Sequence, residues 1–405
     1  MSKTVAVIGA LDTKGKDYAY VKQEIEKRGH KAFVIDTGIL GEPHFRPDIS
    51  AEEVAKASGV ELRELKEKGD KSLAMSVMTR GIALIMRDLY QEGVIDAGIS
   101  MGGSNGTVIG TAALRELPLG APKVMVSTVA SGDTQPYVGI TDVVMFPSIL
   151  DVSGVNMFSA RIYANAVGAL VGMLETEPPP KVGKSLITAS MFGNTTTSVN
   201  QCKDSLEKNG YEVLVFHATG TGGRTMETLV REGYITGMLD ITTTELADEL
   251  VGGVLSAGPQ RMDAAAEWGI PQVAAPGCLD MVNFWGLDTV PEDLRDRILY
   301  QWNPNITLIR TTPEENEALG RIFAEKVNRS TGPTAVFLPL KGISALDAPG
   351  KEFWWPEADE ALFDSIKRHI RKDLPIYELD LNINDQAFSD AMADKLLELI
   401  AEDSE

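Results

Sequence analysis

The sequence predicts an α/β protein of two Rossmann-like, parallel-sheet domains related by internal duplication, with a cleft between them. Three observations carry this expectation. Short apolar runs without polar alternation recur between helical stretches, as in parallel strands covered on both faces. The runs form two matching sets, with glycine-rich loops at corresponding places. A triple proline, Pro178-Pro179-Pro180, stands between the sets, where a helix cannot continue and a stiff connector is favoured.

In chain order, the first run of each set is Thr4 to Ala10 and Ser185 to Ser190. The second strands are 31–36 and 211–216, the third 93–100 and 233–242, and the fourth 122–126 and 271–275. The proposed fifth strands are 142–147 and 305–310. Helical spacing falls over 16–28, 71–92, 104–116 and 155–174 in the first half. In the second half it falls over 198–209, 225–232, 313–329 and 359–372. An insertion at 38–70 holds two short helical pieces and the segment Pro43-His44-Phe45-Arg46-Pro47, placed to fold over a cleft. A tail adds a strand at 334–339, a loop with Phe353-Trp354-Trp355 read as a core anchor, and a closing helix from Asp385. The domains are therefore expected at 1–178 and 182–405, the second with extra C-terminal strand and helices.

A chain of 405 residues exceeds one core and suits two domains of ordinary size. Hydrophobic residues at 43% and charged residues at 24% are those of a globular protein, and no apolar run suggests a membrane span. Two cysteines are too few for a disulfide framework, and Met1-Ser2-Lys3 runs straight into a strand, so a cytoplasmic location is expected. A formal charge of −20 argues against general affinity for nucleic acid, whose phosphates favour a basic face.

The loops that carry chemistry lie where strands give way to helices. Gly102-Gly103-Ser104-Asn105-Gly106-Thr107 lets the backbone approach a ligand and points free N–H groups at an anion. The same spacing would also serve a tight turn alone. His217-Ala218-Thr219-Gly220-Thr221-Gly222-Gly223-Arg224 is a second anion nest, with His217 as base and Arg224 as charge, or a helix cap with a packed histidine. The opening loop with Leu11, Asp12, Thr13 and Lys14 matches neither the phosphate-loop nor the dinucleotide pattern. Asp36 sits where mononucleotide-binding sheets place an acid for ribose hydroxyls, beside Thr37, or else caps its own turn. Phe192, Gly193, Asn194 and Thr195 suit a polar ligand or an N-cap, and Glu245 reads as closing a capping box on Thr242. Arg261 follows a turn and suits a carboxylate or phosphate.

Together these loops, with Lys341-Gly342-Ile343-Ser344 and Trp354 to Asp359, resemble nearly end to end one uncharacterised bacterial and plant family. It includes the N-terminal ATP-binding, inhibitory domain of the tomato tobamovirus-resistance protein. The resemblance implies two Rossmann-like subdomains, a homodimer, and ATP with magnesium, but no established reaction.

The leading expectation is an ATP-binding enzyme of small-molecule metabolism, transferring a phosphoryl or adenylyl group to an anionic metabolite. Residues 102–107 would hold phosphates, Asp36 and Thr37 the ribose, and Asp12 the magnesium, with Leu11 and Thr13 beside them. Lys14, Arg224 and His217 are the catalytic candidates. Phe192, Gly193, Asn194, Thr195, Thr219, Gly220, Gly222, Gly223 and Arg261 would bind the metabolite. The alternatives are a nucleotide-responsive binding protein without turnover, and an ATP-independent hydrolase or lyase using His217.

Overall fold

The structure, a computed structural model, describes residues 2–177 and 183–403. The chain forms two compact α/β units, residues 1–180 and 181–405. The boundary expected at 178–182 lies outside the described residues.

Unit 1 runs β1 (Thr4–Gly9), α1 (Leu11–Lys27), β2 (Lys31–Asp36), α2 (Ala51–Ala57), α3 (Leu62–Lys68), α4 (Lys71–Gln91), β3 (Ala97–Gly102), α5 (Ser104–Leu114), β4 (Lys123–Ser127), α6 (Gln135–Val138), β5 (Val144–Pro147) and α7 (Met157–Glu175). Its strands form one parallel sheet in the order β2-β1-β3-β4-β5. Strand order reverses between β1 and β3, and open α/β sheets take ligands outside the carboxyl ends of the strands at such a point. Every residue of β3 is buried, which explains its unbroken apolar run. One face of the sheet packs on α1 and α7 through Tyr18, Val21, Ile25, Tyr163, Val167 and Leu170. The other face packs on α2, α4 and α5. The insertion thus becomes part of the core: Ser50 and Glu53 close a capping box on α2, and Asp70 caps α4.

Helix α7 is long and apolar enough, by length and composition, to cross a membrane. Here its inward face, Tyr163, Ala166, Val167 and Leu170, is spent on the core of unit 1.

Unit 2 runs β6 (Leu186–Met191), α8 (Thr196–Lys208), β7 (Glu212–His217), α9 (Thr221–Arg231), β8 (Ile235–Thr242), α10 (Glu245–Val251), α11 (Ala264–Trp268), β9 (Gln272–Gly277), β10 (Met281–Phe284), β11 (Leu299–Asn303), β12 (Ile306–Arg310), α12 (Pro313–Val327), β13 (Thr334–Pro339), α13 (Pro356–His369), β14 (Ile376–Leu379) and α14 (Gln386–Asp403). Its main sheet is parallel, in the order β14-β13-β9-β8-β6-β7. Up to its fifth strand this repeats the order of unit 1.

One strand assignment is corrected. Residues 305–310 are not the fifth parallel strand of unit 2, because β12 lies in a separate antiparallel sheet, β10-β12-β11. The fifth position belongs to β13, read from the sequence as part of an unmatched tail. An apolar run shows burial but not direction, so the two strands look alike in sequence. Phe353 is fully buried with Phe192, Cys278 and Met281, as a core anchor should be.

Candidate functional site

In unit 1 a cavity of about 310 Å³ opens at the carboxyl ends of β1, β2 and β3. It is at the lower end of the range of small-molecule pockets. Asp12, Thr13 and Lys14 come from the first turn of α1, and Thr37 and Gly38 from the end of β2. Asn105 and Gly106 come from the first turn of α5. Ile39, Leu40, Met75, Met78 and Ile109 make much of the remaining wall apolar, with Lys71, Ser100 and Tyr18 as polar members.

Local sequence makes this shape. Gly9 is required by a close approach, since a Cβ there would lie 1.8 Å from the Tyr18 ring. The Tyr18 hydroxyl donates to the Met101 carbonyl (2.5 Å) and accepts from the Met101 N–H (3.0 Å), tying α1 to β3 under the cavity. Burial pushes that phenol up to about 12. Helix α5 starts at Gly103 without a side-chain cap, so its first N–H groups and positive dipole end remain for solvent or a ligand. Lys14 is the one non-helical residue inside α1, and its Nζ donates to the Val152 carbonyl. Lys71 is a second cation at the cavity wall.

Of the two acids, the structure places Asp12 at the cavity and Asp36 behind it. Asp36 is buried and its Oδ1 accepts from the N–H groups of Leu11 (2.9 Å) and Gly38 (2.8 Å). Burial raises its pKa, and the two amides pull it back. It builds the start of α1 and its own turn and does not line the cavity. Asp12 does line it: Oδ2 accepts from Leu40 N (2.7 Å) and Gly41 N (3.1 Å), while Oδ1 is enclosed without a hydrogen-bond partner. Two further expectations are corrected. Leu11 packs in the core, and the Thr107 hydroxyl is held by the Gly103 carbonyl (2.8 Å) and Ser127 Oγ (2.6 Å). Gly102, Gly103 and Ser104 sit beside the cavity, in the turn that delivers Asn105 and Gly106 to its wall.

Unit 2 fills the matching position with its own side chains. The nest at Gly220 and Gly223 does bind a carboxylate, but that carboxylate is Glu245, whose Oε1 accepts from Gly220 N (2.7 Å) and Gly223 N (3.2 Å). A Cβ on Gly223 would lie 2.2 Å from Glu245 Oε2. Glu245 therefore closes no box on Thr242. Its Oε2 accepts from Arg261 Nε (2.5 Å). Arg261, expected to meet substrate, is fully buried and forks onto Asp240 at 2.6 Å from both terminal nitrogens.

The other metabolite candidates share this internal bonding. Thr195 is buried against Thr242 (2.8 Å), Asn194 is 2% exposed, and Phe192 belongs to a core cluster. Gly193 lies against the Trp302 ring. A Cβ on Gly222 would strike the His217 carbonyl at 1.8 Å, and Thr219 bonds that same carbonyl. Arg224 Nε donates to the Gly220 carbonyl (3.2 Å). His217 ends edge strand β7 with its ring edge-on to Phe192, and partial burial lowers its pKa. Among the described residues no group of three or more His, Cys, Asp or Glu is arranged to hold a metal ion.

The sequence reading missed one wall. Lys71, Ala74, Met75 and Met78 share a face of α4 at spacings of three and four. That spacing was visible, but an apolar helix face reads first as core.

These features define a two-unit α/β protein with a small-ligand crevice at a sheet switch point. Profiles of the uncharacterised protein family UPF0261 match both halves, the N-terminal domain over residues 3–179 and the C-terminal domain over 184–400. The chain belongs to this family. It is 52% identical over 402 residues to a UPF0261 protein of Clostridium tetani, covering 99% of this chain and 100% of that one. A Rhizobium meliloti member is 42% identical, with 96% and 97% covered. The ToMV resistance protein Tm-1(GCR237) of Solanum lycopersicum is 42% identical over 337 residues, which is 81% of this chain and 45% of that protein. Among solved structures, a Staphylococcus aureus MnaA–UDP complex shows 10% identity over 68% of this chain and 79% of that chain, with a TM-score of 0.24. That likeness is slight and carries nothing about function.

Proposed function

We propose that unit 1 binds ATP with magnesium in the crevice at the ends of β1, β2 and β3, and that the protein is an enzyme of small-molecule metabolism. The reading rests on one observation: one cavity is lined both by cationic side chains with a helix N-terminus and by apolar side chains. The first turn of α5, with Lys14 and Lys71, provides positive potential for phosphates. Met75, Met78, Ile39, Leu40 and Ile109 provide a surface for a flat base. Magnesium would arrive on the phosphates, since it keeps much of its water shell and needs few protein ligands. Bound there, it would offset phosphate charge. Lys14 and Lys71 would orient the phosphate chain and stabilise charge that develops during phosphoryl or adenylyl transfer to an anionic metabolite. We further propose that the protein acts in the cytoplasm as a homodimer.

A second reading has its own support. The described residues lining the cavity include no histidine or cysteine, and Asp12 is the one carboxylate among them. That scarcity favours a nucleotide-responsive binding protein without turnover. Calorimetric titration with ATP, with and without magnesium, tests the site. A product screen over anionic metabolites then separates the readings: new phosphorylated or adenylylated product supports the enzyme, and saturable binding without product supports the sensor.

A further inference from the structure

Unit 2 uses its candidate metabolite residues in bonds of its own, so a second reactant needs another place. Unit 1 has a second cavity, of about 520 Å³, at the carboxyl ends of β4 and β5. Thr128 and Ser131 line it from the loop after β4, and Ile149, Leu150 and Asp151 from the loop after β5. The loop at the matching place in unit 2, after β9, is covered instead. There Cys278 is fully buried and its N–H donates to the Ile343 carbonyl (2.9 Å).

The loop after β5 is fixed in place. Ser148 N–H donates to the Ser127 carbonyl (3.0 Å), Lys14 Nζ to the Val152 carbonyl, and Gly154 N–H to Asp17 Oδ2 (3.0 Å). Ile149 is held at φ 62°, which a β-branched residue rarely adopts, with its side chain 78% exposed. Core packing does not explain its place at the cavity.

The two cavities of unit 1 adjoin the same elements. The first turn of α5 gives Asn105 and Gly106 to the first cavity. Gly103, just before that turn, abuts the second: a Cβ there would lie 3.7 Å from Thr128 Oγ1. Lys14 lines the first cavity and bonds the residue that follows Asp151 of the second. A phosphate seated on the uncapped start of α5 would have a cavity on each side. Ser127 is buried with its hydroxyl engaged by Thr107 (2.6 Å). Among the described residues, the side chains of Thr128, Ser131 and Asp151 make no hydrogen bond, and no Lys or Arg lines this cavity. Two hydroxyls and a carboxylate without a cation suit hydroxyl groups better than a second anion.

We propose that this second cavity is the acceptor subsite of a phosphoryl transfer and takes the uncharged, hydroxyl-bearing end of the metabolite. The proposal rests on the enzyme reading above and names its acceptor. Asp151 accepts the hydrogen of the reacting hydroxyl, and Thr128 and Ser131 bond its neighbours. The acceptor oxygen forms a bond to the γ-phosphorus as the bond from that phosphorus to the β,γ-bridging oxygen breaks. The electron pair of that bond leaves on ADP, and the hydroxyl proton passes to the Asp151 carboxylate.

The test is methyl NMR on the full chain, labelled at isoleucine, leucine and methionine methyl groups. It is titrated with ATP and magnesium, and with glycerol, erythritol or myo-inositol. ATP should move Met75 and Met78 of the first cavity. At least one polyol should move Ile149 and Leu150 saturably while ATP stays bound. Asp151→Asn should weaken that polyol about tenfold, the scale of one charge-assisted hydrogen bond. Three results overturn the acceptor subsite and leave the nucleotide reading standing: unmoved Ile149 and Leu150, polyol affinity undiminished in Asp151→Asn, or displacement of ATP by the polyol. Unmoved Met75 and Met78 on adding ATP would mean that the nucleotide reading itself fails, and a subsite without a phosphoryl donor falls with it.

Discussion

At the carboxyl ends of β1, β2 and β3, unit 1 leaves a cavity of about 310 Å³ walled by Asp12, Lys14, Asn105 and the methionines of α4. At the ends of β6, β7 and β8, unit 2 packs Glu245, Arg261, Asp240, Thr195 and Thr242 without solvent exposure worth counting. The strand order is shared, and the difference lies in which residue opens the helix after the third strand. In unit 1 that residue is Ser104, on a short exposed side chain; in unit 2 it is Glu245, long enough to reach the neighbouring nest. Two sheets of the same strand order thus leave an open cavity in one unit and an internal ion-pair network in the other.

The largest expected effect tests whether the unit 2 network is structural. Arg261→Leu strands Asp240 and Glu245 as uncompensated buried charges, which should destabilise unit 2 by about 3–5 kcal/mol. Denaturant unfolding followed by tryptophan fluorescence measures it, since all five tryptophans of the chain lie in unit 2. Nucleotide binding by unit 1 in the same variant, at a temperature where it stays folded, should be unchanged. Near-wild-type stability would break the comparison.

Next comes a difference in pH response. Burial, and then the charge of Asp347, push Asp280 up to about 7 and Asp359 up to about 8, against the pull of Arg310. In the unfolded chain such carboxyls titrate near 3.9. Between those values the folded unit holds protons that the unfolded chain releases. Stability should therefore fall as pH rises from the unfolded carboxylate range toward the raised values of the folded unit. Stability curves at pH 6 and 9 check the sign, and Asp359→Asn should flatten the slope. Stability that rises across this interval would contradict the assignment.

A glycine pair sharpens the contrast at smaller scale. Gly223→Ala places a methyl carbon against Glu245 and should cost about 1–3 kcal/mol. Gly106→Ala meets nothing nearer than 3.4 Å, apart from its own helix, so it should leave stability nearly unchanged while weakening ligand binding. The smallest effect is expected for His217→Ala, whose ring is partly exposed and makes one edge contact with Phe192. Stability should change by less than about 1 kcal/mol. If turnover is found and this variant abolishes it, the site has been placed in the wrong unit.

Much of this was legible in the sequence, and the exceptions share a cause. The longer helices α1, α4, α5, α7, α8, α9, α12, α13 and α14 follow periodicity and caps such as Thr312–Glu315, which act within a few residues, whereas the short α6, α10 and α11 went unread. The glycine loop before α5 also announced itself locally. What the sequence hid was partnership at a distance. Nothing near Gly220 shows that Glu245, 25 residues on, fills its nest, and nothing near Asp240 shows that Arg261 neutralises it. Likewise Asp36 sits at the expected ribose position, but its turn consumes it. A loop built to hold an anion looks the same in sequence whether the anion is a ligand or a neighbour's carboxylate.

The most direct test is a calorimetric titration of ATP, with and without magnesium, into the wild type and Gly106→Val. The account predicts binding to the wild type and at least tenfold weaker binding to the folded variant. Undiminished affinity in the folded variant, or no binding to the wild type at millimolar ATP, would contradict it.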